Sequence, residues 1–141
     1  MLPLKLPLVV AFAFLIAGCA QTLRLKVVDT GTGQPLPGVV ATWREDRADL
    51  LLGSRHFGPT NLPPSGKDGI ITISEIHPKR VSRFVFSKPG YLNVYAGYSR
   101  NSLTIGETTD SRIHGEMFVL AAPYTNAVFE SDLFIIPMQR R

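Results

Sequence analysis

From Leu23 onward the chain alternates apolar and polar residues with a period of two, and this feature constrains the fold most. Leu23, Leu25 and Val27 fall on one side, with Arg24 and Lys26 on the other. Val39, Ala41 and Trp43 alternate with Val40, Thr42 and Arg44, Ile71 and Ile73 with Thr72 and Ser74, and Phe84 and Phe86 with Arg83, Val85 and Ser87. Successive side chains of a strand point to opposite faces, so such runs read as strands with one buried face. Two later runs, 116–120 and 133–136, are apolar on both sides and read as more deeply buried strands. Clusters of Gly, Pro, Asn and Asp separate the runs and punctuate turns. No segment sustains a 3.6-residue period. Arg44 to Leu52 comes nearest, and one or two helical turns are expected there. Seven or so short strands without a long helix predict an all-β sandwich, with Trp43 and Phe86 in its core.

A chain of 141 residues supports one domain with a real core, and 45% hydrophobic with 18% charged residues is globular composition. A single cysteine excludes a disulfide framework and a cysteine metal cluster. The net charge of +4 is spread along the chain with no basic run, so a nucleic-acid partner is not expected.

That cysteine stands at a junction. Met1 to Lys5 carries one positive charge, and Leu8 to Ile16 is an unbroken apolar run. The run fits the core of a signal peptide and is too short to span a bilayer as a helix. Small residues Ala17 and Gly18 then precede Cys19. Ile16-Ala17-Gly18-Cys19 resembles the lipobox of bacterial lipoproteins. The resemblance implies that 1–18 is removed, that the Cys19 thiol takes a diacylglyceryl group with palmitate-type chains, and that Cys19 becomes the N-terminus. The plainer alternative is an ordinary signal peptide cut nearby, with Cys19 left as a thiol. Ala20 in place of Asp implies, by resemblance to Gram-negative sorting, the outer membrane facing the periplasm. Alternation begins at about Leu23, so 19–22 is an acylated residue with a short tether and 23–141 is the domain. Three tether residues reach about 10 Å at most, which holds the domain against the headgroups.

Two segments carry a further resemblance. Val27-Val28-Asp29-Thr30-Gly31-Thr32-Gly33-Gln34-Pro35-Leu36-Pro37-Gly38-Val39 is one, and Gly66-Lys67-Asp68-Gly69-Ile70-Ile71 followed by Phe84 to Tyr91 is the other. Together they resemble the carboxypeptidase regulatory-like domain, a seven-stranded transthyretin-like (prealbumin-like) β-sandwich. The likeness covers roughly Leu23 to Val94. Its residues are scaffold residues: glycines for positive φ, prolines to stiffen a turn's exit, and Asp68-Gly69 as a tight hairpin signal. The resemblance therefore implies a fold, with binding, adhesive or assembly roles and no fixed chemistry.

Candidate chemistry is sparse. Asp29-Thr30-Gly31 after two valines is similar to the loop of retroviral-type aspartic proteases, but Thr32-Gly33-Gln34-Pro35 departs from that pattern, and turn chemistry accounts for the aspartate. His56, His77 and His114 lack ligand spacing, so no metal site and no cofactor are expected. No nucleophile motif occurs. Two connections are candidate binding loops: Arg55 to Lys67, rich in proline, and Tyr95 to Arg112, long for a compact domain. Tyr95, Tyr98, Arg100 and Asn101 form the candidate ligand surface, for a glycan or an envelope protein. On this reading, replacing Tyr98 and Arg100 by Ala leaves stability within about 0.5 kcal/mol. The sequence thus points to a membrane-anchored binding or structural module without catalysis of its own. The alternatives are a hydrolase using the Asp29 loop and a subunit of an envelope assembly joined through strand edges.

Overall fold

The computed structural model describes residues 21–49, 53–77, 79–107 and 125–141. The expected signal segment, Cys19, Arg112, His114 and the 116–120 run lie outside the described residues. Every regular element described is a strand, in the order β1 (Gln21–Asp29), β2 (Val40–Asp49), β3 (Gly53–Asn61), β4 (Ile70–Ile76), β5 (Val81–Ser87), β6 (Val94–Ser99), β7 (Ser102–Glu107), β8 (Thr125–Asn126), β9 (Val128–Glu130) and β10 (Leu133–Met138). They form two sheets, ordered β4-β1-β10-β9 and β3-β2-β5-β6-β7-β8, facing each other as a sandwich. The all-β expectation holds, although these ten segments, two of them only two and three residues long, differ from the seven strands expected.

The alternation becomes the core directly. Leu23, Leu25 and Val27 of β1 point inward, flanked by Ile71 and Ile73 of antiparallel β4 and by Phe134, Ile136 and Met138 of parallel β10. In the second sheet Ala41 lies opposite Phe86, and Phe84 opposite Ala96, so small residues make room for the two stacked phenyl rings. Phe84 and Phe86 are fully buried, and Trp43 is half-buried against the same cluster. Strict alternation would turn Glu75 inward. Glu75 instead adopts φ 62° at an irregularity in the β1–β4 ladder, which leaves it exposed and buries Ile76.

Three expectations are corrected. Arg44 to Leu52 is not helical over its described part: β2 continues to Asp49 because its backbone pairs with β3 as well as β5. The proline-rich loop begins as strand β3, and only residues 62–69 connect it to β4. The long connection after Tyr95 is largely a hairpin, since β6 and β7 pair from Val94↔Glu107 to Ser99↔Ser102 around Arg100 and Asn101. Both turn residues have positive φ, 53° and 61°, which matches the twist of the flanking strands in a two-residue turn.

Candidate functional site

Period two carries β1 inward at Leu23, Leu25, Val27 and then at Asp29. The strand thus ends by aiming a carboxylate where its predecessors place aliphatic groups, and Asp29 is 2% exposed. A buried carboxylate needs donors in place of water. Oδ1 accepts the backbone N–H groups of Gly31 and Thr32 at 2.8 and 3.1 Å. Oδ2 accepts the Tyr91 hydroxyl at 2.7 Å and Arg140 Nε at 2.8 Å. Arg140 Nε also lies 3.1 Å from the Tyr91 hydroxyl oxygen, and its guanidinium sits 5.8 Å from the centre of that ring. The hydrogen bonds from Tyr91 and then Arg140 hold the carboxyl well below the usual carboxylate range, overriding the upward push of burial. The Thr32 and Gly31 amides act in the same direction. The carboxylate thus fastens β1 to the turn after β5 and to Arg140.

The other turn motifs gather at the same end. The carbonyl of Gly69, a residue at φ 73°, accepts the Val27 N–H at 2.9 Å. A Cβ there would stand 2.6 Å from the Val27 carbonyl oxygen and 3.1 Å from Leu36 N, so only glycine lets the Asp68-Gly69 turn approach this closely. Ser65, also buried, clamps the 36–39 arch: its hydroxyl donates to Leu36 O at 2.7 Å and accepts Val39 N–H at 2.9 Å. Its backbone exchanges further bonds with Gly38 and Val39.

The opposite end, where β1 begins, is built differently. A groove of about 510 Å³ opens there between the sheets, with Leu23, Tyr98, Phe134 and Phe129 along its apolar side. Tyr98 meets Phe134 edge-on at 6.3 Å, and Phe134 meets Phe129 at 4.8 Å, so an aromatic row runs from the core to the surface. Phe129 is 59% exposed and Val128 64%, both on edge strand β9. Gln21, Thr22, Arg24, Asn101 and Asp132 supply the polar lining.

The residues expected to form a ligand surface part company here. Tyr98 is not a loop residue but a core residue, 3% exposed, because the β6–β7 hairpin turns it inward with Val94 and Ala96. Burial raises its phenol pKa, and its hydroxyl donates to Asn101 Oδ1 at 3.1 Å. Tyr95 is buried too, on the other face of β6, and Arg100 is exposed in the turn. Tyr98 and Asn101 therefore come together at the groove, while Tyr95 points away from both. His77 accepts the Lys79 amide at 3.2 Å, and the described residues contain no cluster of potential metal ligands. Sequence reading missed Arg140 and Phe129. A basic residue close behind the last apolar run was the available signal for Arg140, and an aromatic between turn residues was the signal for Phe129. No protein-family model matches the chain, and no curated protein matches it.

Proposed function

We propose that this chain is a lipid-anchored module of the bacterial cell envelope, a carboxypeptidase regulatory-like, transthyretin-like sandwich that binds or scaffolds and does no chemistry of its own. The observation that carries the reading is the junction at Cys19: the lipobox-like motif ends there, and β1 starts at Gln21. Signal segment, acylation site and first strand follow one another without a spacer domain. The convergence of three sequence-distant motifs supports the fold assignment. The Asp29-to-Val39 turn, the Asp68-Gly69 turn and the Pro89-Gly90-Tyr91 turn all meet around Asp29 and Val27. The use of Asp29 as a four-donor ion-paired anchor favours the scaffold reading over the hydrolase. By its Ala20, the protein is proposed to face the periplasm from the outer membrane. Mass spectrometry of the protein extracted from membranes tests this: the N-terminal peptide is expected to begin at Cys19 with acyl mass added. A mature chain starting elsewhere, or an unmodified thiol, refutes it.

A further inference from the structure

We propose that the β9–β10 hairpin is a second, non-covalent membrane contact, with Phe129 and Val128 seated at the headgroup–acyl boundary beside the lipid anchor. This rests on the lipid-anchor reading and extends it from one residue to an oriented surface. The apolar row Tyr98, Phe134, Phe129 ends in solvent at a side chain 59% exposed, and its neighbour Val128 is 64% exposed. The two are consecutive on β9 and face opposite sides of it, level with Leu25 and Lys26 of β1, so the edge strand shows an apolar side chain on each side and the edge itself is an interaction surface. Their place in the fold names the occupant. β10 runs parallel to β1, so the Ser131-Asp132 turn that starts β10 lies at the same end as Gln21. Residues from both, with Phe129, line one groove. Cys19 is two residues from Gln21, and two residues reach about 7 Å at most. Acyl chains on Cys19 thus pull this end, and no other, onto the bilayer.

The rest of the end suits that position. Arg24, Arg100 and Asn101 are exposed around the hairpin, as are Glu130 and Asp132 at its tip, and together they place charged and polar groups of both signs at headgroup depth. The backbones of β2 and β3 also run past Asp46, where the β5 pairing stops, toward this same end. An amphipathic helix lying in the interface sinks on the order of 5–10 Å, and apolar side chains on a strand edge at the anchored end add to an acyl anchor through the same burial of apolar area. The far end, with Asp29, Tyr91 and Arg140, is separated from the bilayer by the length of β1, about 27 Å.

The test uses the full-length, membrane-extracted protein in phospholipid vesicles. In V128C the introduced thiol is the sole labelling site if Cys19 is a thioether, so one environment-sensitive fluorophore per chain is expected. Q34C, in the exposed turn at the far end, gives the reference position. The probe at 128 is expected to be quenched by lipids carrying a shallow quencher and shielded from aqueous iodide, with the reverse at 34. Equal iodide quenching at both positions on vesicle-bound protein overturns the hairpin contact and leaves the anchor standing. Shielding at 128 from both quenchers also overturns it and points to a second copy or another protein over β9. Two fluorophores per chain show Cys19 unmodified, and both readings fall.

Discussion

Tyr98 separates the surface read from sequence from the surface found in the fold, and Y98A makes the difference measurable. The side chain is 3% exposed, lies across from Leu103 on β7, and meets Phe134 edge-on at 6.3 Å. Truncating a buried aromatic removes its transfer free energy and leaves a cavity, about 3–5 kcal/mol together. The groove beside it lets water into part of that cavity, which favours the lower half of the range. Against a total stability on the order of 5–15 kcal/mol for a domain of this kind, such a loss is severe. Y98F isolates the hydroxyl, whose bond to Asn101 ends on an exposed residue and contributes about 1 kcal/mol. R100A in the exposed turn is expected within about 0.5 kcal/mol of wild type. Urea unfolding followed by Trp43 fluorescence reads all three. A Y98A variant as stable as R100A refutes the burial argument and returns Tyr98 to the surface.

Two further outcomes follow from the far end. S65A leaves the buried Val39 N–H and Leu36 carbonyl without the hydroxyl between them, which is expected to cost about 2–4 kcal/mol in the same urea assay. S74A, at an exposed position of β4, is expected to change little, and equal midpoints for the two variants would refute the clamp. For Asp29, the folded carboxyl is held below its ordinary value of 3.8. Its contribution is therefore full above that value and drains away as pH falls toward the folded pKa. The difference in Tm between wild type and D29N is expected to be widest above about pH 5 and to narrow steadily below 3.8. A difference that does not vary with pH refutes the role of the charge.

The strands that alternate strictly were legible before any fold was known, because period two and one-sided burial are the same fact in sequence and in space. β1, β5 and β4 as far as Ser74 needed nothing else, and Phe86 falls into the core as expected. β2 beyond Arg44 was not legible, since Glu45, Asp46, Arg47 and Asp49 carry no apolar face. Its backbone stays extended because β5 holds it as far as Asp46 and β3 as far as Asp49, a tertiary cause that no local window contains. The β6–β7 hairpin hid for a related reason. Arg100-Asn101 lacks the glycine that announces a two-residue turn, and both residues still take positive φ. That missed turn is why Tyr98 was placed in a loop. Asp29 was read correctly as a turn residue, but its partners Tyr91 and Arg140 are 62 and 111 positions away. Only the folded chain brings them to one carboxylate.

The two ends of the sandwich differ in a way that bears on how such a module is used. At the Asp29 end, turns are cross-tied by buried polar bonds, and each tie depends on a residue that tolerates little change: Gly69 for its approach, Ser65 for its hydroxyl, Asp29 for its charge. At the Gln21 end the β6–β7 and β9–β10 turns are of two residues each and the aromatic row runs out into solvent. On the anchoring proposed at Cys19, the second end is the one that faces the membrane. A partner protein would then meet the sides of the sheets or the cross-tied end. There the exposed Arg140 guanidinium, 68% accessible, already answers a buried charge with one nitrogen. Whatever binds there meets a rigid surface, because moving Arg140 away uncovers a carboxylate that the fold has withdrawn from water.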